Sequence, residues 1–159
     1  NDRTISSYNS SVFKNTGYGV TSTIYGHERF YSSYGKIKGP RLTCPQANDK
    51  LSVSTTTGNG NLTYPIGLIT ADEVNMAGGK TSAQNTLYYL YSGTYYWTMS
   101  PSLFNDWSQA LEFLVHSSGE LYGWYGINSS FGVRPVINID PTKITFTGIG
   151  TKEDPYVIE

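Results

Sequence analysis

Apolar positions gather in the second half of the chain as short runs set apart by glycine, serine and proline. Residues 110–116 and 121–125 are apolar or aromatic and flank Ser117-Ser118-Gly119, which predicts a β-hairpin around a glycine turn. Residues 95–99 read as a strand that Pro101 ends, since proline has no N–H for a ladder. Residues 132–139 read as a further strand, with Pro135 implying an edge or a bulge. The strands of the 95–139 segment are expected side by side in one sheet.

Upstream, residues 66–69 form an apolar run that suits a buried strand. Thr70-Ala71-Asp72-Glu73 has the spacing of a capping box, with acids in the first turn to complement the helix dipole. Gly78-Gly79 is a stop signal, so the spacing predicts a short helix over 71–77. Residues 85–91 suit a helix turn or a strand. Residues 144–147 and 156–158 read as short strands around the turn at 148–155. Residues 55–61 form a Gly-Asn-Gly loop. Residues 1–50 hold no period of either kind; they are expected to lie across the core, pinned by Phe13, Tyr18, Ile24, Tyr25, Phe30 and Tyr31.

The chain of 159 residues is long enough for one domain with a real core. Net charge is −1 and charged residues are 14%, which argues against nucleic acid and against electrostatic docking on anionic membranes. No run approaches the ~18 apolar residues of a membrane span, so no membrane contact is expected within this chain. Tyrosine (14) and glycine (17) are in surplus beside Ser, Thr and Asn. That is the composition of a paratope, and equally of a β-rich secreted protein with Tyr on half-buried strands. The chain starts at Asn1, as a processed or excised product would. Cys44 is the single cysteine and has no internal partner; it reads as a small, partly buried thiol or as one that pairs outside the chain.

Little of this composition points to catalysis. His27 and His116 stand far apart with no further metal-ligand motif, and His116 reads as a surface residue. Cys44 has no local base to activate it. Asn105 and Asp106 alone are too few oxygens for calcium. No metal and no cofactor is expected. Asp72 and Glu73 are explained by the helix first turn. Trp97 reads as core, and Arg134 is expected to be mostly buried, bonded to a carboxylate or to backbone carbonyls that lock the terminal strand. Two loops, 102–109 and 122–131, carry aromatic and amide residues suited to a ligand. Phe104, Asn105, Trp107, Trp124, Tyr125, Asn128 and Phe131 are the candidate ligand-binding residues, expected to share one face.

The phrases Tyr96-Trp97-Thr98-Met99-Ser100-Pro101 and Gly132-Val133-Arg134-Pro135-Val136, joined by the hairpin between them, resemble the "YWxxSP…GVRPV" type of C-type-lectin-like domain. Formylglycine-generating-enzyme-like proteins and the variable proteins of diversity-generating retroelements share that fold. Residues 65–73 and 77–79, together with the ending 148–156, look like bacterial surface or pilin-like proteins carrying such a module. The resemblance implies an α+β, β-rich mixed fold with long loops and one or two short helices. It covers residues 62–159 of a single 1–159 domain; residues 1–61 are loop-rich, and the module is expected to lack part of its N-terminal region. Formylglycine-generating activity uses a pair of cysteines and is not carried over. The leading expectation is a non-enzymatic extracellular or cell-surface binding module for a glycan or protein ligand. A pilin-like filament subunit contacting its neighbours is the alternative, and an enzyme the third reading.

Overall fold

Strand β1 (Thr23–Ile24), helix α1 (His27–Phe30), strand β2 (Ile66–Leu68), helix α2 (Ala71–Ala77), strands β3 (Tyr96–Phe104), β4 (Ala110–Val115), β5 (Leu121–Gly126) and β6 (Pro135–Ile137), and the short β7 (Phe146–Thr147) and β8 (Val157–Ile158) follow in chain order. They come from a computed structural model that describes residues 23–24, 26–31, 39–43, 56, 64, 66–104, 109–137, 145–151 and 153–158. The architecture is mixed and strand-dominated, as an α+β, β-rich reading requires.

Helix α2 forms where its local signals place it. The Thr70 hydroxyl accepts the Glu73 N–H at 3.2 Å, and the Glu73 carboxylate accepts the Thr70 N–H at 2.8 Å. This reciprocal pair satisfies donors that a helix start leaves open. Gly78, at φ 121°, closes the helix by giving its N–H to Asn75. Ala71 and Val74 are wholly buried and face the main sheet.

That sheet has four strands in the order β1-β3-β4-β5, antiparallel throughout. The hairpin β4–β5 turns at Gly119 (φ 80°), whose N–H bonds the His116 carbonyl at 2.8 Å. A Cβ on Gly119 would stand 1.6 Å from the Asn85 carbonyl oxygen, so the turn accepts only glycine. On one face Tyr96, Phe113, Val115 and Leu121 join Phe30, Tyr31, Ile69, Ala71, Val74 and Tyr88 in the core. Each fully buried Phe or Leu there contributes about 1.5–3 kcal/mol relative to exposure. Arg29 on α1 and Asp72 on α2 form a buried bidentate ion pair, its longer arm 3.0 Å, and the Arg41 N–H adds a bond at 2.6 Å to the same carboxylate. Asp72 therefore ties α1 to α2 as well as standing in a helix first turn.

Several elements depart from the sequence reading. Strand β3 runs on through Pro101, because the register with β4 shifts on both sides of that residue and no ladder N–H is needed there. Residues 95–99 and 133–137 do not share a sheet: β6 pairs with β2 in a separate two-stranded sheet, and among the described residues the 132–137 segment joins β3 through a single parallel bridge between Gly132 and Tyr96. Ile66 on β2 is 54% exposed rather than buried, as an edge of that small sheet. Residues 85–91 are neither helix nor strand; a turn bonds the Tyr91 N–H to Tyr88. Strands β7 and β8 pair as expected, with Asp154 O accepting the N–H groups of Ile149, Gly150 and Thr151 across the turn. Phe30 and Tyr31 do pin the core; Phe13, Tyr18, Tyr25 and Cys44 lie outside the described residues.

Candidate functional site

The face of the main sheet opposite α2 gathers a cluster of aromatic rings. In an unbroken strand, Tyr122 and Tyr125 would point to opposite sides. Strand β5 is not unbroken: Leu114 pairs with Tyr122 and Glu112 with Tyr125, so a single β4 residue, Phe113, opposes both Gly123 and Trp124. This bulge turns Gly123 and Trp124 to the core side and returns Tyr125 to the side of Tyr122. The two rings stand 5.4 Å apart.

Around them the rings close into a circuit. Tyr125 meets Phe131 edge-on at 4.9 Å, Phe131 stacks on Tyr95 at 5.0 Å, Tyr95 meets His116 at 4.4 Å, and His116 meets Tyr122 at 5.8 Å. Trp97 joins from outside the circuit, 5.1 Å from Phe131. All are half-buried. Phe131 reaches Tyr95 because the neighbouring Gly132 exchanges backbone hydrogen bonds with Tyr95 and Trp97, both 3.0 Å. His116 is held at both nitrogens. The Ser118 N–H donates to Nδ1 at 3.1 Å, so the neutral ring carries its proton on Nε2 and donates it to the Tyr95 hydroxyl at 2.8 Å. It is thus a member of the network rather than a plain surface residue.

Beside Trp97 the face sinks into an open hollow of about 350 Å³ lined by Leu68, Trp97, Thr98, Met99, Glu112 and Ile127. Its walls are apolar except for Thr98 and Glu112. Burial pushes the Glu112 carboxyl up to about 7, because a carboxylate loses hydration there without gaining a counter-charge. Among the described residues no donor reaches it. Strong displacement by desolvation within a concavity is a mark of functional sites.

The candidate residues named from sequence fall apart on this frame. Tyr125 and Phe131 belong to the circuit, and Asn128 is exposed at the turn that follows β5. Trp124 is on the other face, edge-on to His27 at 4.4 Å and to Tyr31 at 5.9 Å, so it does not share a surface with Tyr125. Phe104 is half-buried at the far end of β3, paired with Ala110 and Thr23. Asn105, Asp106 and Trp107 lie outside the described residues. Trp97 is half-buried and lines the hollow. Arg134 is exposed, not buried; its guanidinium donates to the Leu90 carbonyl at 2.9 Å and lies 4.8 Å over the Tyr96 ring. Its partners are a carbonyl and a ring, which leave it in contact with water.

Comparison with known proteins finds no matching family model, no matching curated protein and no matching solved structure. Tyr95, His116, Tyr122 and Glu112 were not singled out as site residues by the sequence. The alternation of Tyr95 with Trp97 signals their shared side, whereas nothing local announces the β5 bulge that brings in Tyr122. Among the described residues no His, Cys, Asp and Glu side chains gather in a group of three or more that could hold a metal, and no helix is long and apolar enough to cross a membrane.

Proposed function

We propose that this chain is a non-enzymatic binding module of the cell surface or extracellular space, taking a glycan or protein ligand on the ring cluster of Tyr95, Trp97, Tyr122, Tyr125 and Phe131. One observation carries the reading: Tyr95, Tyr122, Tyr125 and Phe131 lock one another through His116 in a circuit on a single sheet face, with Trp97 packed against Phe131. Rings already held in place lose little conformational entropy when a partner covers them. Tyrosine hydroxyls and exposed Asn128 add hydrogen-bonding capacity around an apolar centre. Such a face offers contact area and orientation, which serve binding rather than bond-breaking. A C-type-lectin-like architecture belongs to the same proposal, supported by the hairpin phrases of the sequence and by the packing of α2 on the β3–β4–β5 sheet.

The test is binding of Tyr125→Ala and Phe131→Ala to a panel of glycans and surface proteins, beside the unaltered chain. A partner lost on both substitutions, with the cooperative melt retained, is the expected result. A partner held equally by both variants would place the site elsewhere.

A second reading, a subunit of a surface assembly, is favoured by the terminal hairpin. Phe146, Ile149, Tyr156, Val157 and Ile158 are 44–71% exposed on β7, β8 and their turn, and an isolated two-stranded hairpin is marginal in water. A neighbouring subunit seated there would bury those side chains, and sedimentation of Ile149→Glu against the unaltered chain tests it.

A further inference from the structure

We propose that the hollow between β2, β3 and β4 receives a lysine side chain of a partner protein, with Glu112 as counter-charge and Trp97 as aromatic wall. The inference rests on the ring face being a binding surface, and it selects a protein over a glycan as the partner. Charge complementarity carries it. Of the lining residues Leu68, Trp97, Thr98, Met99, Glu112 and Ile127, the one charged group is an acid. Its carboxylate meets no donor among the described residues, so its bonding capacity is unspent. Leu68, Met99 and Ile127 are suited to an aliphatic stem, while the indole of Trp97 attracts a cation across its face. A neutral sugar would offer the carboxylate hydroxyl donors but no counter-charge, whereas a lysine ammonium supplies both in a charge-assisted hydrogen bond.

Insertion of an ammonium is coupled to loss of the Glu112 proton. Around Glu112, β3 presents Trp97, Thr98, Met99 and Pro101, β2 presents Leu68, and β5 presents Tyr125 across the strand. Tyr125 is the titratable group among these. Burial first, then Tyr95, hold its phenol above the ordinary value, so it stays neutral. Glu112, displaced to about 7, passes from mostly protonated at pH 6 to mostly ionised at pH 8. A lysine ammonium stays charged throughout.

The experiment is an NMR titration of the full chain, reading the Trp97 indole and Met99 methyl signals. The probes are the capped peptide acetyl-Gly-Lys-Gly-amide and its neutral isostere with norleucine in place of lysine. The lysine peptide should move both signals and bind about tenfold more tightly at pH 8 than at pH 6, following the ionised fraction of Glu112. The norleucine peptide should bind more weakly and without that pH dependence. Glu112→Gln, which keeps the shape of the side chain, should remove both the preference for lysine and the pH dependence. Equal binding of the two peptides, unchanged lysine binding by Glu112→Gln, or unmoved Trp97 and Met99 signals would each overturn the proposal. Tyr125→Ala separates the two readings. If the lysine peptide fails while a panel partner is still lost on Tyr125→Ala, the ring face stands and the lysine site falls.

Discussion

Tyr122 and Tyr125 stand on the same side of strand β5 with ring centroids 5.4 Å apart, although they are three positions apart in sequence. The extra residue in β5 opposite Phe113 makes this possible. A regular strand would have sent Tyr125 to the core side and left the ring circuit open. The bulge therefore both builds the outer face and delivers Trp124 to the pocket of His27 and Tyr31.

Gly123 is the residue on which the bulge depends. A Cβ there would come within 2.7 Å of both the Phe113 ring and the Ser102 hydroxyl. Neither neighbour can retreat, since Phe113 is wholly buried and Ser102 bonds His27 at 2.6 Å. Gly123→Ala is expected to cost about 1–3 kcal/mol by overpacking, read as a lower midpoint in urea denaturation. An unchanged midpoint would mean that the strand can shift without penalty.

Trp124 and Tyr125 are adjacent, yet they should respond oppositely to truncation. Trp124→Ala removes a ring packed on His27 and Tyr31 and should cost about 2–4 kcal/mol of stability. Tyr125→Ala should leave stability within about 1 kcal/mol while weakening partner binding by about 2 kcal/mol or more. Paired thermal melts and binding isotherms check this. Equal loss of stability in the two variants would refute the division of faces.

The buried pair of Arg29 and Asp72 bridges the helices α1 and α2. Removing one partner leaves the other charge desolvated, so Asp72→Ala should lower stability by about 3–5 kcal/mol. Arg134 is different. It is exposed, holding a carbonyl and a ring face, and Arg134→Ala should cost only about 0.5–1.5 kcal/mol. Denaturation curves that rank the two substitutions in the reverse order would contradict the geometry.

Buried His27 and half-buried Glu112 set opposite arms of the pH dependence. Burial holds His27 below its ordinary 6.5, at about 3. The unfolded chain therefore takes up a proton that the native ring refuses, and stability falls as pH drops from 6.5 towards 3, by up to about 1.4 kcal/mol per unit. Glu112 is raised from 4.5 to about 7; its contribution is complete below 4.5 and is lost as pH rises to 7. Discounted for partial exposure, that loss is about 1–2 kcal/mol. Between 4.5 and 6.5 the two oppose each other and flatten the profile. Glu112→Gln should raise stability at pH 8 and uncover the His27 slope already below 6.5, as denaturation midpoints over pH 4–8 would record. An unaltered profile in that variant would show that the carboxyl is not desolvated.

The sequence by itself determined the elements whose causes are local. Helix α2 needed only Thr70, Glu73 and Gly78, because capping bonds span three residues and the glycine closes the end. The hairpin β4–β5 needed only its apolar runs and Gly119, since a tight turn brings together strands that are already neighbours. Tertiary structure alone decided the rest. Whether 132–137 joined β3 or β2 depended on ladder partners dozens of residues away, and β6 took β2. Pro101 could stay within β3 because bulges removed the need for its missing donor. The facing of Trp124 and Tyr125 followed from one unpaired residue, and a period-2 pattern carries no record of where its phase slips. Glu112 became unusual through the walls that Leu68, Trp97, Met99 and Ile127 raised around it, and burial of a charge is a property of those distant neighbours rather than of the strand on which it lies.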